Sequence, residues 1–85
     1  MDVVLYKSRV AKVYWKLRAV MADRKITNKA LAEKLEMNPV SISKLKSNDL
    51  LPEIGGEALA NICQAISELS SKKCTPSDLI EYTSE

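Results

Sequence analysis

The stretch TNKALAEKLEMNPVSISKLKSN, Thr27 to Asn48, restricts the fold more than any other part of the chain. It contains two helix starts in close succession. Thr27 is a favoured N-cap, because its hydroxyl can accept one of the backbone N–H groups that a helix start leaves unpaired. A helix over Asn28–Leu35 follows, with Leu31, Ala32 and Leu35 facing inward. Asn38-Pro39 is the second start. Asn caps, and Pro fits the first helical position because the N–H it lacks would be unpaired there anyway. This helix runs from Pro39 to about Ser47, anchored by Val40 or Ile42 and by Leu45. Only about three residues separate the two helices, and the small Ala32 lets them cross closely.

The flanking sequence supplies a core for this pair. Val10 to Asp23 reads as helix: Val10, Val13, Tyr14, Leu17, Val20 and Met21 recur at helical spacing. Trp15 lies off that stripe and, with Ala11, Ala19 and Ala22, forms a second, weaker apolar surface. Upstream, Val3 to Lys7 reads as a short strand or extended arm, so residues 1–9 form an arm and residues 10–85 the domain. SNDLLPEIGGE is a loop, broken by Pro52 and the Gly55-Gly56 pair. A helix from Glu57 to about Leu69 places Leu59, Ile62, Cys63, Ile66 and Leu69 on one face. TPSD, Thr75 to Asp78, starts a last short helix to about Tyr82, with Leu79 and Ile80 inward. The expected architecture is all-α, five helices, with a possible N-terminal strand.

Composition narrows the function. The 85 residues contain no His, which removes the commonest general base and metal ligand. Cys63 and Cys74 lack metal-ligand spacing. Cys63 reads as an inert core thiol, whereas Cys74, beside Lys72 and Lys73, could have a lowered thiol pKa. No enzyme, metal site or cofactor is expected. No apolar run approaches the ~18 residues of a membrane span, and MDVVLYKSRV is not a secretory leader, so a cytoplasmic protein is expected. The net charge is only +2, but Met1–Asn48 carries 11 Lys and Arg against 4 acids, and Asp49–Glu85 carries 2 against 7. A basic face meeting a polyanion accounts for that asymmetry.

Two crossed helices with a turn this short form a helix-turn-helix. TNKALAEKLEMNPVSISKLKSN, then ALANICQAI, then TPSDLIEY, resembles the xenobiotic-response-element family of helix-turn-helix regulators, which includes phage Cro and lambda-type repressors. The resemblance covers about Val10 to Tyr82. It implies a compact five-helix domain that binds double-stranded DNA and regulates transcription, with the helix from Pro39 as the recognition helix. It assigns Asn28, with Lys29 beside it, to a phosphate at the start of the preceding helix. Asn38, Pro39, Val40, Ser41, Ser43 and Lys44 fall on or beside the face that enters the major groove. Lys46, Ser47 and Asn48 fall where the helix exit meets the DNA backbone. The sequence departs from the family at Glu36, where Gly usually takes a left-handed turn position. It departs again in the acidic, apolar loop NDLLPE, which leaves phosphate contact there to backbone N–H groups near Gly55 and Gly56.

A single recognition helix reads few base pairs, so a homodimer is expected, with Val3, Leu5, Tyr6 and Trp15 as candidate contacts. A repressor acting by promoter occupancy is the functional expectation. The competing one is a protein–protein module, such as an antitoxin, binding a protein partner through an apolar patch around Trp15 and Tyr6.

Overall fold

The computed structural model describes residues 12–83. The elements are β1 (Lys12–Trp15), α1 (Leu17–Asp23), α2 (Asn28–Leu35), α3 (Pro39–Lys46), α4 (Gly56–Ser70), α5 (Pro76–Leu79) and β2 (Ile80–Thr83). Five helices are therefore joined by a two-stranded antiparallel sheet. The expected arm over Val3–Lys7 lies outside the described residues.

The sheet corrects two expectations. Lys12–Trp15 is a strand rather than the first turn of a helix from Val10, and Ile80–Thr83 is a strand rather than the end of the last helix. Lys12 pairs with Thr83, Val13 with Tyr82, Tyr14 with Glu81 and Trp15 with Ile80. The segments KVYW and IEYT are rich in β-branched and aromatic residues, which suit a pleated, half-buried surface. The other edge of β1 is also paired. Trp15 N–H donates to the Asp49 carbonyl at 2.8 Å, and Leu51 N–H donates to the Val13 carbonyl at 2.9 Å. The loop before α4 thus runs as an irregular third strand beside β1. Trp15 ends the strand in the core, only 5% exposed.

The core lies between α1, α2, α3, α4 and α5. Leu17, Met21, Leu31, Ile42, Ile66 and Leu79 are its fully buried large side chains, each contributing about 1.5–3 kcal/mol by leaving water. Ile42 is buried where Val40 is exposed, which settles the inward residue of α3. Leu45 packs against the same core, half-buried.

Helices α1, α2 and α4 end alike, with one residue in the left-handed region: Lys25 (φ 58°), Glu36 (φ 58°) and Ser71 (φ 56°). The next N–H then closes the helix. Ile26 donates to Met21 at 2.8 Å, Met37 to Ala32 at 2.8 Å and Lys72 to Ser67 at 3.3 Å. This is the closure that glycine usually serves. Here all three sites carry side chains.

Arg24 ties two of these ends together. Its guanidinium donates to the Lys72 carbonyl at 2.6 Å, Ser70 Oγ at 3.1 Å and the Lys73 carbonyl at 3.2 Å. It also lies 3.9 Å from the Asp78 carboxylate. The Asp78 carboxylate accepts the Thr75 N–H at 2.9 Å, one arm of the capping box that starts α5.

Candidate nucleic-acid interface

The turn between α2 and α3 forms as its local chemistry dictates. Thr27 Oγ1 accepts the Ala30 N–H at 3.0 Å and caps α2. Glu36 takes the left-handed position, with φ 58° and ψ 45°. Asn38 Oδ1 accepts the Val40 N–H at 2.8 Å, and Pro39 opens α3. Buried Ala32 and Ile42 fix the two axes against each other.

That packing decides which side chains of α3 point out. Ile42 and Leu45 turn inward. At 3.6 residues per turn the opposite side carries Val40, Ser43, Lys44 and Ser47, with Pro39 and Ser41 flanking. All six are exposed, and Val40 is 59% so. Among the described residues, an apolar side chain that far out, between hydroxyls and an ammonium, takes no part in the core.

The exit of α3 is held by its own polar residues. Ser47 Oγ donates to the Lys44 carbonyl at 2.7 Å. Asn48 Nδ2 lies 3.2 Å from the Lys44 and Leu45 carbonyls. Trp15 closes the same end, its indole N–H donating to the Leu45 carbonyl at 3.1 Å. The side chains of Ser47 and Asn48 therefore cap carbonyls that the helix end leaves open.

Lys46 Nζ donates to Asn28 Oδ1 at 2.8 Å. This bond joins the first residue of α2 to the last residue of α3. It occupies the amide oxygen of Asn28, whose NH2 keeps its two donor hydrogens. Lys46 keeps further N–H donors. Two residues assigned separately to DNA phosphates thus sit within one hydrogen bond of each other, with exposed Lys29 next to Asn28.

A family model for the Cro/C1-type helix-turn-helix DNA-binding domain matches residues 16–85. The chain belongs to this family. Comparison with curated proteins finds no match, and neither does comparison with solved structures. Membership makes this Cro/C1-type domain a DNA-binding domain, and α2, its turn and α3 are the helix-turn-helix.

Two expectations about other surfaces need correction. Trp15 belongs to the core of the Cro/C1-type domain, so it supplies no exposed patch for a dimer contact or a protein partner. Val3, Leu5 and Tyr6 lie outside the described residues. Cys74 is not an activated thiol: burial raises its pKa, and that outweighs the lowering by Arg24. Burial, with Cys74 nearby, pushes the Cys63 thiol up to about 11. Among the described residues, no helix is long and apolar enough to cross a membrane.

The contact between Lys46 and Asn28 had no signal in the sequence. Neither did Arg24, whose guanidinium is buried although it follows Asp23 in an apparently solvated stretch. Both depend on partners distant along the chain.

Proposed function

We propose that the Cro/C1-type domain is a sequence-specific regulator of transcription that acts by occupying a promoter as a homodimer. In this reading α3 lies in the major groove. Val40 meets a thymine methyl, the apolar group displayed there, and Lys44 donates to guanine O6 and N7. Ser41 and Ser43 bond weakly to either kind of base, and Asn38 and Pro39 set the depth of the helix start. Asn28, Lys29 and Lys46 hold phosphates, helped by backbone N–H groups at the Gly55-Gly56 start of α4. Ser47 and Asn48 act indirectly, by holding the exit of α3. Two-fold pairing places the recognition helices about 34 Å apart, one turn of DNA. The likeness of Thr27–Lys46 to the xenobiotic-response-element regulators supports the same reading.

The observation that carries the proposal is the bond from Lys46 to Asn28. It organises two donors at one edge of α3 while leaving Val40 and Lys44 unobstructed on the outward side. Selection of bound duplexes at fixed salt tests it. One enriched palindromic motif is expected, with log K falling against log salt at a slope of roughly −4 to −5 if about four to six phosphates are neutralised. Lys44→Ala should cost about 1–3 kcal/mol and relax preference at one position. Lys46→Ala should weaken all sequences and lower the slope by about one. The reverse pattern, or a flat salt response, overturns the assignment.

A further inference from the structure

A groove of about 260 Å3 opens between the end of α2, α3 and the first half of α4. Leu35, Met37, Leu45, Ile54, Ala58 and Ile62 line it, with Glu53 at its rim. Met37 remains 42% exposed, and Leu50 and Leu51 nearby are exposed as well. Exposed apolar side chains that cluster around a concave surface mark a docking site. The face of α3 assigned to DNA is elsewhere, on the side of Val40 and Lys44.

We propose that this groove binds the apolar run Val3–Tyr6 of the same chain. The backbone pairing gives the direction. Val13 lies opposite Leu51 in antiparallel sense, so the same pairing, continued upstream of Lys12, would run beside the residues that follow Leu51. That course leads to Glu53 and Ile54, in the groove wall. Reach is ample. Tyr6 lies six positions upstream of Lys12, a span of up to roughly 20 Å, whereas Glu53 is two positions, about 7 Å, beyond Leu51. The chemistry matches in both parts. VVLY supplies large apolar side chains, and Lys7 and Arg9 follow it in sequence, opposite in charge to Glu53 of the groove lining. The tether presents the run at an effective concentration of order millimolar, which favours it over a free competitor.

The test uses the full chain, with methyl-labelled methionine. There are three methionines, and Met21 is fully buried while Met37 lines the groove. Leu5→Asp should shift the Met37 methyl signal and leave Met21 in place. The wild-type Met37 signal should not change on dilution. Trypsin cleavage after Lys7 and Arg9 should accelerate at least about tenfold, because one buried leucine shifts a docking equilibrium by that much. Ala58→Glu, on the exposed wall of α4, should give the same acceleration, and it decides the matter if Leu5→Asp disturbs the fold. A Met37 signal indifferent to Leu5→Asp, or cleavage indifferent to Ala58→Glu, overturns the proposal. A dilution-dependent Met37 signal also overturns it, since it assigns the groove to a second copy of the chain.

Discussion

Replacing Glu36 by glycine should make the domain more stable. Glu36 holds the left-handed turn at φ 58° and ψ 45°. A residue with a Cβ pays about 1–2 kcal/mol there, because the Cβ crowds the following carbonyl. Glycine avoids that cost but gives back about 0.4–1 kcal/mol through the greater freedom of the unfolded chain. The net gain is about 0.5–1 kcal/mol, or roughly 3–6 °C in Tm for a domain of this size. No contact offsets it. Glu36 is exposed, and the ion pairs of the described residues do not include it. A carboxylate at a helix C-terminus is also unfavourable against the helix dipole, so charge must be separated from conformation. Glu36→Ala removes the charge and keeps the Cβ. Paired urea titrations followed by circular dichroism compare the two variants. If Glu36→Gly is no more stable than wild type, or if Glu36→Ala gains as much, backbone strain at this turn is not the determining factor.

Trp15→Phe should destabilise the fold by about 1–3 kcal/mol, through the lost bond to the Leu45 carbonyl and the void left by the smaller ring, measured by urea unfolding with circular dichroism. The Asp78 carboxyl is held below its ordinary 3.8, chiefly by the Thr75 N–H. Its contribution is therefore complete above that value and is lost as pH falls through the lower folded value. Asp78→Asn should flatten the acid side of the Tm profile below about pH 4. Cys63, raised from 9.0 to about 11, should carry about a hundredfold less thiolate at pH 8 than an ordinary thiol. Mass spectrometry should find it alkylated slowly in the native protein and rapidly in urea.

Where structure depended on neighbours in sequence, the sequence was readable. The caps at Thr27, Asn38 and Thr75 and the Pro at the start of two helices each act within three residues. The helices they open begin where those residues predict. The left-handed turn at Glu36 was also readable, from the likeness to a family that prefers glycine there. The two strands were not. KVYW continues a helical spacing that runs through Leu17, Val20 and Met21, and four residues are too few to separate a period of 3.6 from a period of 2. What decides is pairing with IEYT at the far end of the chain, which no local window contains. The same blindness hid Trp15. On a helix from Val10 it falls off the main stripe, on a second and weaker apolar surface, whereas at the end of a strand it faces the core. On α3, helical spacing placed Lys44 outward, but the choice between Val40 and Ile42 needed the packed structure. The partnership of Lys46 with Asn28 rests on the angle at which two helices cross.

The pairing of β1 with β2 also bears on how the protein is made. Among the first four helices, α2 packs on both α3 and α4, and α1 packs on α3, so these contacts are all available before β2 is made. Trp15 meets Ile80 only after nearly the whole chain between them has been synthesised. Until then β1 has one partner, the loop that runs beside it at Asp49 and Leu51, and an open edge that can pair with another nascent chain. The bond from the Trp15 indole to the exit of α3 needs no residue beyond Leu45, so it is available in that interval. Final closure at the sheet therefore waits for the last strand, after the helix-turn-helix is in place.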